Sequence, residues 1–68
     1  MSKLSISLNG NIIEANTDNL SDFLNEHAPK DRPFAVEING IIVPSSDFNN
    51  FKLTNHDRIE IIAAVGGG

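Results

Sequence analysis

Two Asn-Gly dipeptides, Asn9-Gly10 and Asn39-Gly40, each lie between short apolar segments, and they constrain the fold more than any other feature of the chain. A two-residue hairpin turn of type I′ needs positive φ at both central positions, which Asn-Gly accepts more readily than other pairs. The segment before the first turn alternates strictly between apolar and polar residues, as a half-buried strand does. The sequence therefore predicts two β-hairpins. Their strands cover residues 3–8, 12–15, 34–38 and 41–43.

The segment between the hairpins predicts one helix. Three apolar residues and one histidine recur at i, i+3, i+4 and i+7, which places them on one stripe of a helix. They are Leu20, Phe23, Leu24 and His27. Thr17 or Asp18 is the expected N-cap, because a short oxygen-bearing side chain can accept from the first free backbone amides. Pro29 disfavours helical angles at the residue before it, so the helix should end at Ala28.

The last strand is predicted over residues 58–65, where apolar side chains fall on both faces. A strand that is apolar on both faces needs cover, so it should lie inside the sheet and run parallel to the first strand. The element order is therefore β-β-α-β-β-β. This order indicates an α+β fold in which one main helix packs on one face of a mixed sheet. Residues 1–65 form the expected domain, and residues 66–68 form a flexible glycine tail.

Composition excludes several classes of function. The 68 residues suffice for one small domain, and 40% apolar residues argue against disorder. Because the chain has no cysteine, it has no disulfide, thiolate zinc site or nucleophilic thiol. Its two histidines, His27 and His56, do not stand at a metal-binding spacing, and no serine has an evident paired base. We therefore expect no enzyme activity, no catalytic residue, no metal and no bound cofactor.

The net charge of −4 disfavours binding to nucleic acid, because an acidic surface repels phosphates. The same charge suits docking onto a basic partner surface. No apolar stretch approaches the roughly 20 residues that span a bilayer, so no membrane association is expected. Met1-Ser2-Lys3 leads directly into an alternating strand pattern, which is unlike a signal peptide. A cytoplasmic location is the expectation.

Gly66, Gly67 and Gly68 follow the last predicted strand, and Gly68 ends the sequence. A segment without Cβ atoms is thin and adopts backbone angles closed to other residues, so it can thread a narrow enzyme channel. Six residues from Ala63 onward extend roughly 20 Å, enough to carry a terminal carboxylate into a partner's active site. The Gly68 carboxylate is therefore the candidate functional group.

These features resemble those of the ThiS sulfur carriers of thiamine biosynthesis, which belong to the ubiquitin-like β-grasp superfamily. The resemblance covers the whole chain and is carried by three blocks. They are Leu8-Asn9-Gly10, Ile38-Asn39-Gly40 with Val43-Pro44, and residues 57–61 running on to Val65-Gly66-Gly67-Gly68. The chain departs from the family pattern at Asn55-His56-Asp57, where Asp-Gly-Asp is common, and at Ser45, where a basic residue is frequent.

The resemblance implies a protein cosubstrate. An E1-like adenylating enzyme would use ATP and Mg²⁺ to convert the Gly68 carboxylate into an acyl-adenylate. A cysteine desulfurase relay would supply persulfide sulfur to give a Gly68 thiocarboxylate. Thiazole synthase would then accept that sulfur, while Gly66 and Gly67 thread the partner's active site.

A docking surface is expected on the sheet face that the helix leaves uncovered. Apolar residues on both faces of the last strand motivate this hypothesis, because a solvated face should be polar. The expected members are Ile62, Ala35 and Ile42, rimmed by Glu37 and Glu60, with Ile12, half exposed, as a further candidate. The alternative is that a loop merely covers Ile62.

Three other functions remain open at this point. The chain could be the small subunit of molybdopterin synthase or a related sulfur carrier with the same tail chemistry. It could be a ubiquitin-like modifier that is conjugated to lysines through Gly68, or an interaction domain with an inert tail. The short chain and the Val43-Pro44 hairpin favour the thiamine pathway.

Overall fold

A computed structural model describes residues 3–63 and shows a five-stranded mixed sheet with one α-helix. Its elements are β1 (Leu4–Leu8), β2 (Asn11–Ala15), α1 (Leu20–His27), β3 (Phe34–Ile38), β4 (Ile41–Val43), a 3₁₀-helix (Ser45–Asn50) and β5 (Arg58–Ala63). The strand order is β2-β1-β5-β3-β4, with β5 parallel to β1 and antiparallel to β3. The predicted fold class and the central position of the last strand are therefore confirmed.

Both hairpins turn at the predicted Asn-Gly pairs. Asn9 and Gly10 have φ values of 50° and 86°, and Asn39 and Gly40 have 53° and 85°. Positive φ at both central positions defines the type I′ class that matches the twist of the flanking strands. These turns set the registers in which β1 faces β2 and β3 faces β4.

The α-helix begins one or two residues later than expected from an N-cap at Asp18 or Thr17. Asn19 is the N-cap, since its side-chain Oδ1 accepts a 3.0 Å hydrogen bond from the backbone N–H of Asp22. Thr17 instead accepts from the backbone N–H of Asn19 at 3.1 Å, so it orients the chain before the helix starts. At the other end, Ala28 is extended as the C-cap, as the following proline predicts.

The core lies between the helix and the sheet face that it covers. The helix contributes three buried residues, and His27 lies at the edge with its ring 4.4 Å from that of Phe23. Every strand contributes at least one buried residue to the same cluster. The buried members are Ile6, Ala15, Leu20, Phe23, Leu24, Val36, Ile38, Val43, Leu53 and Ile59. The other face of the sheet, called here the outer face, points away from this core.

The turn before β5 contains one of the two departures from the family pattern, Asn55-His56-Asp57. His56 has a φ of 72°, a left-handed conformation that glycine adopts freely and other residues adopt at a cost of roughly 1–2 kcal/mol. Its backbone N–H donates to the Ser5 carbonyl at 2.7 Å, so the strained residue also joins this turn to β1. His56 therefore occupies a glycine conformation with a side chain that is exposed.

Replacing His56 with glycine should stabilise the domain by about 0.5–1 kcal/mol. This value is the backbone strain that glycine relieves, minus the cost of the greater conformational entropy that glycine has in the unfolded chain. Chemical denaturation of the two chains measures the change. The matched control is His56→Ala, which also removes the imidazole but keeps the Cβ atom and hence the strain. If the glycine variant were no more stable than the alanine variant, the conclusion that His56 is strained by its positive φ would be contradicted.

Candidate functional site

Strand β5 directly precedes the C-terminal segment in the sequence. The last described residue of β5 is Ala63, which lies opposite Phe34 at the start of β3. The strand was expected to continue to Val65, and Ala64 and Val65 lie outside the described residues. Gly66, Gly67 and Gly68 also lie outside them, so their expected roles stay predictions. The described part of the site is the strand that carries this segment, together with the outer face beside it.

The side chain of Asn9 extends a short β1–β5 ladder. Only Ser7–Arg58 and Leu8–Ile59 are paired in register between these parallel strands. Beyond them, the Asn9 backbone N–H donates to the Ile59 carbonyl at 2.9 Å. Its side-chain Oδ1 accepts from the Ile61 N–H at 2.8 Å, where a strand backbone would otherwise supply the carbonyl. The turn residue thereby holds β5 two residues further than the strand itself does.

The side chain of Asn39 does the same at the other edge of β5. Its backbone N–H donates to the Arg58 carbonyl at 2.8 Å, and its Oδ1 accepts from the Arg58 N–H at 3.0 Å. Its Nδ2 donates to Asp57 Oδ1 at 3.0 Å. Two residues expected only to form turns thus also anchor the final strand. No sequence pattern signals this role, because it depends on which strand lies next to each turn.

Asp57 is a buried charged residue at the start of β5, with 7% of its surface exposed. Its carboxylate accepts hydrogen bonds from the Thr54 N–H at 2.8 Å, the Thr54 hydroxyl at 2.9 Å and Asn39 Nδ2 at 3.0 Å. Burial by itself raises the pKa of Asp57, but these hydrogen bonds together outweigh it and hold the pKa below its ordinary value. Asp57 therefore fixes the turn that starts β5 as an ionised group.

The outer face brings together all five residues of the expected docking surface. Ala35 lies opposite Ile62, and Glu37 lies opposite Glu60 across β3 and β5. On the other side of β3, Glu37 faces Ile42 of β4. Ile12 is separated from this group, because it pairs with Ser7 on the far side of β1.

No described element covers this surface. Ile42 and Ile62 are 56% and 54% exposed, and Ala35 and Glu60 are also exposed. The alternative in which a loop covers Ile62 is thereby excluded for residues 3–63. Ile12, expected to be half exposed, is 73% exposed because it lies on the outer face of an edge strand. We name the group Ala35, Glu37, Ile42, Glu60 and Ile62 the outer patch.

Arg58 and Ser7 were not predicted to belong to this surface. Both lie on the outer face, where Ser7 is paired with Arg58, and both line a hollow of about 260 Å³ together with Glu37 and Glu60. Arg58 makes no ion pair within 4.0 Å among the described residues. The alternation of β1 and β5 predicts which face these residues share, but their contact depends on the strand order.

Over residues 3–63 no cluster of three or more His, Asp or Glu side chains is placed to hold a metal ion. In that same part of the chain, no helix is both long and apolar enough to cross a membrane. His27 contacts Phe23 and Glu26, and His56 lies in the turn before β5. The two histidines therefore stand in different parts of the fold.

The sheet order, the single packed helix and the central C-terminal strand define a ubiquitin-like β-grasp protein. The ThiS family model matches residues 3–68, and the chain belongs to that family. It is thus a small sulfur carrier of the ThiS type. Carriers of this kind are generally not catalysts and work with partner enzymes.

The chain is also similar to two individual proteins and to one solved structure. The uncharacterized protein ycf40 of Pyropia yezoensis is 34% identical over 68 residues, which cover 98% of this chain and 96% of that protein. The uncharacterized protein ycf40 of Trieres chinensis is 36% identical over 53 residues, covering 78% and 73%. The crystal structure of the thiamine biosynthesis protein ThiS from Geobacter metallireducens matches with a TM-score of 0.76 and 21% identity, over 96% of this chain and 100% of that one. At that identity the structure supports the fold alone.

Replacing Asp57 with asparagine should lower the free energy of unfolding at pH 7 by about 1–3 kcal/mol, because an amide cannot accept all three hydrogen bonds. The pKa of Asp57 is depressed in the folded protein, so the contribution of its charge to stability is complete above the ordinary pKa of 3.8. That contribution should disappear as the pH falls through the lower, folded pKa. Urea denaturation of both chains between pH 7 and pH 2 measures this.

The control for this prediction is Asp47→Asn, which makes the same change at an exposed position. It should leave stability within about 0.5 kcal/mol of the parent at every pH. A stability difference between the parent and Asp57→Asn that stayed constant down to the most acidic pH would contradict the proposed role of the charge.

Proposed function

We propose that this protein carries sulfur on the carboxylate of Gly68 for synthesis of the thiazole ring of thiamine. The observation that carries the proposal is the family match over residues 3–68, which includes the terminal glycines. The anchoring of β5 supports this proposal, since Asn39 holds one edge of the strand at Arg58, near its start, and Asn9 holds the other edge at Ile61, near its middle. The folded domain would thus present a fixed exit point for a thin segment that ends in the reactive group.

Activation is needed because a carboxylate resists nucleophilic attack. The terminal carboxyl group has a pKa near 3.5 in ordinary surroundings and is ionised at neutral pH. An adenylating partner would transfer AMP from ATP to the Gly68 carboxylate with the help of Mg²⁺, releasing pyrophosphate. The resulting acyl-adenylate is a mixed anhydride whose leaving group is AMP. In this step the described domain contributes binding and orientation only.

Sulfur would then replace AMP. The terminal sulfur of a cysteine persulfide, formed by a desulfurase relay, bonds to the Gly68 carbonyl carbon as AMP leaves. A thiol reduces the remaining sulfur–sulfur bond, and the Gly68 thiocarboxylate is released for thiazole synthase. Because the chain has no cysteine, every thiol in this series of reactions belongs to a partner protein or to an added reductant.

Incubation with an E1-like adenylating enzyme, ATP, Mg²⁺ and a persulfide source should convert the Gly68 carboxylate into a thiocarboxylate. Intact-mass spectrometry would detect the replacement of one terminal oxygen by sulfur. Tandem fragmentation should place the sulfur on the final residue, because no cysteine is present to hold it elsewhere.

The control chain lacks Gly68 and should gain no sulfur under the same conditions. A parent chain that forms the adenylate but never the thiocarboxylate would contradict the carrier proposal. Isopeptide conjugates to lysine would support the modifier alternative instead. Sulfur transfer to thiazole synthase, compared with transfer to a molybdopterin precursor, would distinguish the two carrier pathways.

The outer patch is the surface that we propose for docking the adenylating enzyme. Ile42 and Ile62 are more than half exposed on a sheet face that no described element covers. An exposed apolar surface with a polar rim is typical of a protein interaction site. Ile62 lies on β5 just before its last described residue, so contacts there would hold the partner close to the exit of the C-terminal segment.

The acidic residues of the outer patch indicate that the partner's docking surface is basic. Glu37 and Glu60 face each other directly across antiparallel strands, an arrangement that is unfavourable in an isolated sheet. A basic surface on the partner would relieve this repulsion and would also attract a chain of net charge −4. The patch therefore fits an apolar surface that carries cations at its edge.

Combining Glu60→Lys with Ile62→Ser should abolish adenylation while the domain remains folded. Both side chains lie on the outer face and are exposed, so little core packing is lost. Pyrophosphate release measures adenylation, and the dispersion of amide resonances reports folding.

The matched control combines Glu26→Lys with Ile41→Ser. It makes the same change in charge and apolar area, but Glu26 is on the helix and Ile41 is paired with the buried Ile38. Ile41 is 70% exposed, so this substitution also spares the core. Full adenylation of the outer-patch variant, or equal losses in both variants, would contradict docking through this surface.

A further inference from the structure

The two Asn-Gly dipeptides carry a chemical reactivity that the sulfur carrier function does not use. The backbone nitrogen of the glycine can attack the asparagine Cγ, because no side chain on the glycine obstructs it. The new N–Cγ bond closes a five-membered succinimide, and the Cγ–Nδ2 bond breaks as ammonia leaves with the glycine amide proton. Water then opens the ring at either carbonyl to give aspartate or isoaspartate. The only co-reactant is water, and no oxidation or reduction takes place.

The structure holds the two asparagine amides differently. The attack requires the side-chain amide to rotate away from β5, so its hydrogen bonds must break. Asn39 would lose two short bonds, from the Arg58 N–H to Oδ1 and from Nδ2 to Asp57 Oδ1, both 3.0 Å. Asn9 would lose one short bond, from the Ile61 N–H at 2.8 Å, since its Nδ2 lies 3.5 Å from the Ile61 carbonyl. Reaction at Asn39 therefore requires the loss of one more short hydrogen bond, and that bond is to a carboxylate.

Electrostatics add to this difference. Attack by the glycine nitrogen proceeds through deprotonation and places negative charge on the asparagine side chain. At Asn39 this charge would develop beside the Asp57 carboxylate, whose pKa is lowered by its hydrogen bonds despite its burial, so that it is ionised at neutral pH. The partners of the Asn9 side chain are neutral backbone groups of Ile61. Negative charge is therefore less favourable at Asn39.

We propose that Asn9 is the site of spontaneous deamidation in the folded protein, and that the hydrogen bonds of Asn39 to Asp57 and Arg58 protect the chemically equivalent Asn39-Gly40. This proposal is independent of the function proposed above. Isoaspartate at position 9 would insert one carbon atom into the backbone of a turn whose two residues fix the β1–β2 register. It would also remove the side-chain acceptor from its place beside Ile61. The modified protein should consequently have a loosened β5.

The test is incubation of the full chain at mildly alkaline pH and 37 °C, in native buffer and in concentrated urea. Peptide mapping by chromatography and mass spectrometry separates asparagine, aspartate and isoaspartate at each position. In native buffer we expect Asn9 to react faster than Asn39 by about tenfold or more, the factor that one charge-assisted hydrogen bond corresponds to. In urea the two rates should converge, since both dipeptides are then equally exposed.

Asn39 reacting as fast as Asn9 in native buffer would overturn the proposal. A difference that persisted in urea would also overturn it, because the cause would then be local sequence. The variant Asp57→Asn gives an additional check through amide hydrogen exchange and peptide mapping. If exchange shows that it stays folded, Asn39 should react faster than in the parent while Asn9 is unchanged. The parent chain decides the question even if that variant unfolds.

Discussion

The pairing of β5 along both of its edges is the constraint on which the rest of this structure depends. The strand lies at the centre of the sheet and contributes the fully buried Ile59 to the core. Its ladder with β1 is short, so the Asn9 side chain supplies the next acceptor at Ile61. Asn39 binds the other edge at Arg58, and Asp57 holds the turn before it. Two hairpin turns and one buried carboxylate therefore hold β5 in place in the part of the chain that the structure describes.

This arrangement divides the domain into a structural face and an exposed face. A chain of 68 residues buries roughly 60% of the surface that its unfolded form exposes, so its stability margin is thin. Nevertheless Ile42 and Ile62 remain exposed, and Glu37 opposes Glu60, although polar or oppositely charged residues would suit a solvated sheet better. The helix covers only the other face. The exposed face therefore carries apolar and like-charged residues together, and it is the face on which we propose that a partner docks.

The strands and the helix were predictable because local chemistry specifies them, and the central position of the last strand was predictable because a strand that is apolar on both faces needs cover. Asn-Gly selects the hairpin turns, alternation selects the faces of β1 and β3, and Pro29 ends the helix. The predicted N-cap, Thr17 or Asp18, was wrong. The side chains of Thr17, Asp18 and Asn19 can all accept a hydrogen bond from a backbone N–H of the first helical turn, and the extended backbone of Asn19 is what makes it the cap. The five residues of the outer patch were predicted from apolar residues on both faces of the last strand. The contribution of Arg58 and Ser7 to the same surface was not predicted.

The sequence alone determined the turns, the faces of each strand and the apolar final strand, because these depend on neighbours a few residues apart. Tertiary structure decided what each turn does beyond reversing the chain. Asn9 binds Ile61 of β5, 52 residues away, and Asn39 binds Arg58, 19 residues away. Asp57 receives its third hydrogen bond from Asn39, in the turn between β3 and β4. Such partners are set by strand order and by the burial of a charged group that must be hydrogen-bonded, and neither can be read from residues adjacent in the chain.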